Sequence, residues 1–425
     1  MTSEVKERIE QIRHGNVPDG FQETIFGLAP VSWRKNRIDE VCTLSSGSTP
    51  RRDNAENFIG DILWVTSGEL KKRTIADTIE KISEDAAQKS NLTMYDPGTV
   101  VIAIYGLEAA GIRGTASIVG KRCTISQACM AFTEFNGVDN EFMYYWYLNN
   151  GQIIGLRYAQ GTKQQNLSTD IVGAFPICYP EIREQREIAK ILTTQDKVIE
   201  LKEKLLAEKQ RQKKYLMQHL LSGKKRLPGF SSEWKKNAIG SFIREVDEKT
   251  TENNQYDILS VTKNGIVRQF DHFNKQVASE DNTGYKILRR GNLAFSSMNL
   301  WMGSLDVLED YEVGIISPAY KVFSFNTQLM NIKFGRQFMR SESMIWQYKV
   351  NSKQGASIVR RNLDLKALLS TKVSIPGLDE QQAIATVLMA ADREIELLQQ
   401  DIEYEKKKKK ALMHLLLTGI VRVSV

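Results

Sequence analysis

The sequence predicts an α+β fold: two globular α+β domains joined by two long antiparallel coiled-coil helices, arranged as a pseudo-twofold internal repeat. One stretch is written twice, as EQREIAKILTTQDKVIEL from Glu184 and as EQQAIATVLMAADREIEL from Glu380. Apolar residues in both copies follow the alternating steps of four and three that are typical of a coiled-coil seam. Fainter repeats ahead of the two copies indicate that a globular domain and a long helix occur twice in the same order.

The two helical copies begin and end at matching signals. Pro180 and Pro376 lie just ahead of them, and Gly223 and Gly419 follow them. A helix of about 40 residues is roughly 60 Å long and cannot bury an apolar seam alone. We therefore expect the two helices to pack against each other, and two similar halves favour the antiparallel direction. The alternative is that each helix packs on its own globular domain. The predicted seam residues are Ile188, Leu192, Ile199, Leu206, Leu216, Ile384, Leu388, Ile395, Leu398, Ile402 and Leu412.

Polar residues interrupt the seam in both copies. They are Gln195, Lys202, Lys209 and Lys213 in the first copy, and Glu405 and Lys409 in the second. This polarity suggests the hypothesis that the helices bend apart there or that another protein contacts them. The lysine run at 406–410 points all round a helix, so we expect a solvated or subunit-docking stretch.

The globular segments share short motifs in the same order. DILWVTSGEL from Asp61 matches DILSVTKNG from Asp257, and ISQACMAF from Ile125 matches ISPAYKVF from Ile316. β-branched runs at 62–66, 99–104, 293–297 and 320–325 predict strands of a mainly antiparallel, twisted sheet in each domain. The stretches EFMYYWYL and QFMRSESMIWQY predict short helices. Residues 4–14 predict a short helix that stands where the tail of a long helix stands before the second domain.

These features divide the chain into six segments. We expect an N-terminal helix and linker at 1–30, domain 1 at 31–180 and the central long helix at 181–223. A linker and domain 2 follow at 224–376, then the C-terminal long helix at 377–418 and a tail at 419–425.

The composition is that of an ordinary globular protein, with 41% hydrophobic and 26% charged residues. No apolar run approaches the roughly 20 residues that span a bilayer, and the N-terminal segment has no apolar core typical of a signal peptide. Four cysteines without a Cys-x-x-Cys pair indicate reduced thiols, so we expect a cytoplasmic protein. The net charge of +7 permits a polyanionic partner without requiring one.

The sequence resembles the specificity (S) subunits of type I restriction-modification enzymes over nearly its whole length. The resemblance is carried by Pro-x-x-x-Glu-Gln-x-x-Ile-Ala-x-x-Leu at Pro180–Leu192 and Pro376–Leu388, and by the Leu-Leu-[Ser/Thr]-Gly helix exits. The loop GTKQQNL at Gly161–Leu167 and the stretch SSGSTPRR at Ser45–Arg52, with its Gly-x-Thr-Pro loop, add to it. Domain 2 lacks a Gly-x-Thr-Pro loop, so contact positions near that loop do not transfer there.

The resemblance implies a non-catalytic DNA reader. Each globular domain would be a target recognition domain for one half of a bipartite, asymmetric double-stranded DNA site. The helices would set the spacing and dock two methyltransferase subunits, which bind S-adenosylmethionine and methylate adenine at N6. Two motor-nuclease subunits would add endonuclease activity. A stand-alone DNA-binding protein, the DNA-reading part of another methyltransferase system and a coiled-coil scaffold without nucleic acid remain alternatives.

The sequence itself offers no catalytic or metal-binding pattern. No two of the nine prolines are adjacent, so the [Asp/Asn]-Pro-Pro-[aromatic] loop of an amino-methyltransferase is absent. The stretch GTASIVGKR from Gly114 fails the phosphate-binding P-loop pattern. The four histidines are scattered, with no Ser or Cys arranged as a triad. We therefore expect no cofactor and no metal in this chain.

Candidate DNA-binding residues are those that can reach phosphates or base edges from the shared loops. Paired bases such as Lys71-Lys72-Arg73, Lys121-Arg122 and Arg289-Arg290 suit phosphates, whereas Arg, Asn and Gln can pair bidentately with bases. The candidates in domain 1 are Thr49, Arg51, Arg52, Tyr105, Arg113, Gln127, Lys163, Gln164 and Gln165. The candidates in domain 2 are Lys263, Asn264, Asn299, Trp301, Gln354, Arg360 and Arg361.

Overall fold

A computed structural model describes residues 3–161, 165–263, 265–272, 280–354 and 361–423, and these form two compact units. Unit 1 holds the residues up to Lys202 together with those from Asp401 onward, and unit 2 is Glu203–Gln400. The long helices α6 (Ile182–Leu220) and α12 (Leu378–Leu417) each contribute one half to each unit.

Unit 1 builds domain 1 from short strands and a few helices. In chain order these are α1 (Ser3–Arg13), β1 (Phe21–Thr24), β2 (Gly27–Pro30), β3 (Arg34–Arg37), α2 (Ile38–Val41), β4 (Thr43–Ser46), β5 (Ile62–Val65), β6 (Thr74–Ile75), β7 (Lys81–Ile82), α3 (Glu84–Lys89), β8 (Val100–Ala103), β9 (Ala116–Val119), β10 (Cys123–Ile125), β11 (Cys129–Thr133), α4 (Asn140–Tyr158), α5 (Thr169–Gly173) and β12 (Pro176–Tyr179).

The core of domain 1 lies between its sheets and α4. The strands form a five-stranded sheet in the order β4-β11-β8-β9-β6 and a three-stranded sheet in the order β10-β5-β7, with β1-β2 and β12-β3 as separate pairs. All pairings are antiparallel except β5 with β10 and β6 with β9. Strands β8 to β10 are buried on both faces, and α4 buries six consecutive residues from Phe142 to Tyr147. Burial of these consecutive residues explains why the first half of α4 is apolar on every side.

Unit 2 builds domain 2 in the same way. Its elements are β13 (Lys235–Ala238), α7 (Ile239–Phe242), β14 (Ile243–Glu245), β15 (Leu259–Thr262), β16 (Gly265–Arg268), α8 (Gln269–His272), β17 (Lys286–Arg289), β18 (Leu293–Ser296), β19 (Leu305–Val307), β20 (Val313–Ile316), β21 (Tyr320–Phe325), α9 (Ile332–Met339), α10 (Glu342–Val350), β22 (Ser352–Gln354), β23 (Arg361–Leu363), α11 (Leu365–Ser370) and β24 (Lys372–Ile375). An antiparallel sheet in the order β14-β21-β18-β19 carries the core, with Phe295 stacked on Phe323.

Two details of the predicted domains are wrong. The strands form several small sheets in each domain instead of one, because each short strand pairs with only one or two others, some of them far away along the chain. The stretch QFMRSESMIWQY is part of two helices, since the Ser341 hydroxyl accepts a hydrogen bond from the backbone N–H of Met344 and caps a new helix, α10. The helix predicted from EFMYYWYL is longer than the motif and becomes α4.

The long helices pair antiparallel within each unit. In unit 1, Lys202 Nζ lies 2.8 Å from Asp401, and Lys409 Nζ lies 2.6 Å from Asp196. In unit 2, Lys209 Nζ lies 2.6 Å from Glu394, and Lys213 pairs with Asp392. Contacts in which one residue number falls as the other rises confirm the antiparallel direction. The seam residues are buried or partly buried: Ile188, Leu192, Ile199, Ile384, Leu388 and Ile402 are buried, and Leu206, Leu216, Ile395, Leu398 and Leu412 are partly buried.

The polar seam residues bridge the helices, so the hypothesis that the helices bend apart at Glu405 is wrong. The carboxylate of Glu405 accepts hydrogen bonds from Lys202 Nζ at 2.8 Å and from Gln195 Nε2 at 2.7 Å. These hydrogen bonds, that of Lys202 first, lower the pKa of Glu405 to about 2. Four lysines of the run at 406–410 are exposed, and Lys409 turns inward toward Asp196.

The tail that follows α12, and not α1, takes the place beside domain 1 that the residues after α6 take beside domain 2. The residues that follow α6 and those that follow α12 lie 196 positions apart in sequence, and Gly223 and Gly419 both adopt a positive φ there. Helix α1 contacts this tail through a hydrogen bond from Arg8 to the carbonyl of Ile420. Among the described residues, no helix is both long enough and apolar enough to cross a membrane.

Candidate nucleic-acid interface

In domain 1, three loops meet at the ends of neighbouring strands. The loop after β8 begins at Tyr105, whose N–H donates to the carbonyl of Ala128 in the turn between β10 and β11. Tyr105 also forms an isolated β-bridge with Asn166, which closes the Gly161 loop against it. Tyr105 is about one third exposed, so part of the residue is accessible beside the turn and the loop.

The Gly-x-Thr-Pro loop joins the same group of loops. The N–H of Gly47 donates to the carbonyl of Cys129, and that of Ser48 donates to the carbonyl of Ile125. A Cβ atom on Gly47 would lie 2.1 Å from the carbonyl oxygen of Ile125, so this approach requires glycine. The loop carries half-buried Thr49, and the turn on which it packs carries exposed Gln127. The structure therefore brings Thr49 and Gln127 to the same side as Tyr105.

Arg113 and Gln165 are in direct contact. The guanidinium donates from Nη2 to Gln165 Oε1 at 2.6 Å, and the Gln165 N–H donates to the carboxylate of Glu108 at 2.8 Å. That backbone hydrogen bond is the largest cause of the lowered pKa of Glu108. The side chain of Arg113 lies against Gly155 of α4, where a Cβ atom would come within 2.5 Å of Arg113 Cγ. Gln165 is therefore held in place through both its backbone N–H and its side-chain Oε1.

Domain 2 repeats this arrangement with different side chains. The loop after β18 contains Met298, whose carbonyl accepts from the N–H of Arg361 on the hairpin β22–β23. Trp301 lies in the same loop, with the guanidinium of Arg361 5.8 Å from its ring centroid. Exposed Gln354 is the cross-strand neighbour of Arg361, and half-buried Asn299 lies in the loop after β18. Four predicted residues thus lie around one loop and one hairpin.

Arg361 is engaged within the protein. Its guanidinium donates to the hydroxyl and the carbonyl of Ser352, both at 3.0 Å. The guanidinium of Arg361 is thus occupied within the protein, whereas the side chain of Gln354 is exposed.

Lys263 occupies the turn between β15 and β16 and is exposed. Arg340 donates to its carbonyl at 3.2 Å and to Asp306 at 2.9 Å. Asp306 is buried in β19 and also accepts a hydrogen bond from Arg336. Burial lowers the pKa of the Arg336 guanidinium, but the carboxylate partners outweigh this effect and raise the pKa. Sequence reasoning missed this ion cluster, because its members come from separate elements and share no spacing pattern.

Several of the paired bases form ion pairs within the described part of the chain. Arg52 makes a bidentate ion pair with Glu80, and its guanidinium lies 4.3 Å from the ring centroid of Phe58. Arg289 makes a bidentate pair with Glu248. The remaining engaged arginines pair with single carboxylates: Arg73 with Glu141, Arg122 with Asp96 and Arg290 with Glu312. Arg51, Lys71, Lys72 and Lys121 are exposed and therefore the better phosphate candidates.

Four predicted residues lie outside the described residues: Lys163, Gln164, Asn264 and Arg360. Their neighbours in sequence border the two Gly-rich loops and the β15–β16 turn. Within the described ranges, no group of three or more His, Cys, Asp or Glu side chains is arranged to hold a metal ion. All four cysteines are buried and free, and burial raises the pKa of the Cys123 and Cys129 thiols to about 12.

The repeated Glu-Gln pair attaches each domain to its long helix. Gln185 is fully buried, and its Oε1 accepts from the N–H of Asp139, the residue that caps α4. Gln381 accepts in the same way from the N–H of Asn331, which caps α9. Each amide also donates to two carbonyls, one of them that of the proline before the long helix. The repeated Glu-Gln pair therefore makes the same contact between domain and long helix in both halves, and we call this contact the joint.

A second contact fixes the joint six residues further along each capped helix, or nearly two turns from the cap. Tyr145 of α4 donates to Asp196 at 2.6 Å, and Gln337 of α9 donates to Asp392 at 2.9 Å. Asp196 and Asp392 occupy equivalent positions in the two long helices. Each domain is thus held on its helix by the same pair of contacts, while the loops at the strand ends differ.

The chain matches known proteins over most of its length. Residues 30–210 and 232–404 match the family model described as the type I restriction modification DNA specificity domain. The type I restriction enzyme MjaVIII specificity subunit of Methanocaldococcus jannaschii is 23% identical over 439 aligned residues, which cover 95% of this chain and 96% of that protein. The MjaIX specificity subunit of the same organism is 27% identical over 188 residues, or 43% of this chain and 42% of that protein.

Solved structures show the same fold. The S subunit of a type I restriction-modification system from M. genitalium superposes with a TM-score of 0.53 at 13% identity, covering 92% of this chain and 97% of that one. A chain from a study of complex assembly and conformational transition of the type I R-M system gives a TM-score of 0.55 at 16% identity, covering 92% and 99%.

Proposed function

Because this chain belongs to the type I restriction-modification DNA specificity family, we propose that it is the DNA-recognition subunit of a type I restriction-modification complex. Each globular domain reads one half of a bipartite, asymmetric site in double-stranded DNA. The long helices set the gap between the half-sites and dock two methyltransferase subunits. This chain takes no catalytic step of its own.

The observation that carries the proposal is the repeated joint between domain and helix. Gln185 and Gln381 make matching hydrogen bonds, so two domains are held on their helices by one design. The loops that these domains present are different, with Tyr105 and Gln165 in domain 1 and Trp301 and Gln354 in domain 2. Two domains that are attached in the same way but carry different loops suit the reading of an asymmetric site.

The helix pair supports the spacing role. Helices α6 and α12 run unbroken for 39 and 40 residues. Cross-helix ion pairs and a buried seam resist bending, whereas the end-to-end distance of a flexible linker fluctuates. Two readers that enter successive major-groove faces need centres about 34 Å apart along DNA.

The partners follow from the same proposal. The methyltransferase subunits, rather than this chain, bind S-adenosylmethionine and transfer a methyl group to adenine N6. Motor-nuclease subunits complete the endonuclease form of the complex. Copurification of the full chain with a methyltransferase tests this step, and a stand-alone DNA-binding protein is indicated if the chain selects its site without one.

A domain exchange tests the reading of half-sites. Replacing residues 31–176 by the corresponding segment of another family member changes one half-site and leaves the other intact. The measurement is sequencing of methylated adenines in cells that carry the complete set of subunits. Altered recognition on both sides contradicts independent reading by the two domains.

A helix insertion tests the spacing. Four residues inserted after Gln195 add about one helical turn, or roughly 6 Å. We expect a changed gap with both half-site sequences retained, measured by selection from a DNA library of variable gap length. An unchanged gap contradicts the role of the helices in spacing.

A further inference from the structure

Two matched ion pairs close the joints between domains and helices. Glu184 is buried, and its carboxylate accepts from Arg422 Nε at 2.7 Å and Nη2 at 2.6 Å. Glu380 is equally buried and accepts from Arg226 Nε at 2.5 Å and Nη2 at 2.6 Å. Both are bidentate, the geometry in which Arg binds a carboxylate most specifically.

Each guanidinium also covers a tryptophan of its domain. The guanidinium of Arg422 lies 5.8 Å from the ring centroid of Trp33, and that of Arg226 lies 5.8 Å from that of Trp234. The glycine after each long helix allows the segment that follows it to approach the domain closely. A Cβ atom on Gly419 would come within 2.4 Å of Pro30 and 3.0 Å of Trp33, at a φ of +68°.

The two ion pairs differ in how the chain connects the arginine to the domain that it contacts. Arg226 precedes Trp234 by a short segment of the same chain, so the peptide backbone keeps it near domain 2 even when the ion pair opens. Arg422 reaches Trp33 from the far side of the sequence, and its partner Glu184 is 238 residues away. Arg422 is instead held beside domain 1 by the contacts of residues 419–423 and by the end of α12, whose Met413, Leu416 and Leu417 pack in the core of domain 1.

The two tryptophans also differ in the hydrogen bonding of their indole N–H groups. Trp234 Nε1 donates to Glu380 at 3.2 Å and ties the ring into the ion pair. Trp33 Nε1 is buried without a hydrogen-bond partner among the described residues. Trp33 packs with Ala29 and Cys178 in a small apolar cluster, and the guanidinium of Arg422 lies beside this cluster.

We propose that Arg422 is a positioning residue for domain 1: it ties the strand-bearing domain to α6 through Glu184 and Trp33, and it thereby keeps the half-site that domain 1 reads at a fixed gap from the other. This rests on the proposed function. Arg226 is the built-in comparison, because its geometry is the same and its backbone tether is intact.

The test uses the full chain copurified with methyltransferase subunits. Arg422→Ala, Arg422→Lys and the matched control Arg226→Ala are compared in binding selection from a library in which both half-sites are present and the gap varies one base pair at a time. We expect Arg422→Ala to reduce the preference for the favoured gap by about tenfold while the selected half-site sequences persist, since loss of a tether mainly lowers effective concentration.

The other variants give graded results. Arg226→Ala keeps the gap preference within about threefold of the unmodified protein because the backbone tether remains. Arg422→Lys falls between the two, since an ammonium cannot bind the carboxylate bidentately or stack as a guanidinium does. A role in stability alone lowers binding to all gaps by a common factor and leaves the preference unchanged, which overturns the inference.

A second measurement applies when Arg422→Ala folds poorly. A chain that lacks residues 419–425 is mixed with a synthetic peptide of residues 418–425, TGIVRVSV, or with the same peptide carrying Arg422→Ala. We expect the first peptide to restore the gap preference and the second to fail. Equal effects of both peptides overturn the inference. If the unmodified protein selects no bipartite site, the proposed function fails instead.

Discussion

Replacing Gln185 with alanine tests whether the repeated Glu-Gln pair attaches domain 1 to its helix. The buried amide accepts from the N–H of Asp139 at 2.8 Å and donates to the carbonyls of Gly137 at 3.0 Å and Pro180 at 2.8 Å. Each hydrogen bond contributes about 1 kcal/mol net, and a buried group left without a partner costs about 1–3 kcal/mol. We therefore expect a loss of about 3–5 kcal/mol in the free energy of unfolding of unit 1.

The assay must separate the two units, because a chain with two compact units does not unfold in one step. Urea unfolding monitored by hydrogen exchange, with peptides from each unit resolved by mass spectrometry, meets this need. Gln381→Ala is the matched variant, since its amide makes equivalent contacts in unit 2. We expect each variant to destabilise its own unit by a similar amount.

A third variant separates donor from acceptor. Gln185→Glu keeps the side-chain shape and the hydrogen bond from Asp139, but it turns a carboxylate toward two carbonyls. We expect its carboxyl pKa to be raised in the folded state, so that the variant is most stable at low pH and loses stability as the pH rises through that pKa. The reasoning is refuted if neither alanine variant costs more than about 1 kcal/mol, or if both destabilise the same unit.

Three further predictions concern the helix seam, the loops and the phosphates. The hydrogen bond from Lys202 holds the pKa of Glu405 at about 2, so its contribution to stability is present above the ordinary glutamate pKa and is lost as pH falls through about 2; Glu405→Gln flattens stability over this acidic range in unfolding at a series of pH values. Gly47→Ala forces a backbone carbonyl away and lowers the melting temperature of unit 1, and unchanged calorimetry contradicts the close approach. Lys71→Ala and Lys72→Ala each reduce the slope of log affinity against log salt by about 1 without changing the selected sequence, and an unchanged slope excludes a phosphate contact.

The long helices were predictable in detail. The positions of Ile188, Leu192, Ile384 and Leu388 follow the seam rhythm, and burial follows that rhythm because a helix presents every third or fourth residue to its partner. The antiparallel direction was an inference from duplication, and the cross-helix ion pairs confirm it. The four predicted strands lie within a residue or two of β5, β8, β18 and β21, because β-branched runs between turns are short-range signals.

The arginines of the two buried ion pairs lie three residues after the glycines that end the helical repeat. Extending the comparison past Gly223 and Gly419 places Arg226 and Arg422 at equivalent positions, as it does Glu184 and Glu380. The pairing itself was not predictable, since the partners are far apart along the chain and a conserved spacing does not name a contact.

The candidate site was predicted only as a set of loops. Sequence motifs brought forward Tyr105, Gln165, Trp301 and Gln354, and the fold places them in two groups at strand ends. Sequence could not show which arginines form ion pairs within the protein. Arg52 looked like a phosphate contact until its bidentate pair with Glu80 was seen.

The sequence alone determined that the protein has two halves, that each half ends in a long amphipathic helix, and that the motif linking domain to helix is the same in both. These are local properties, written in periodicity and in residues close together along the chain. The tertiary structure alone decided which charges neutralise one another and which side chains remain available to a ligand. The reason is that an ion pair such as Arg422 with Glu184 depends on where the folded backbone brings distant segments together, and spacing along the chain carries no record of that distance.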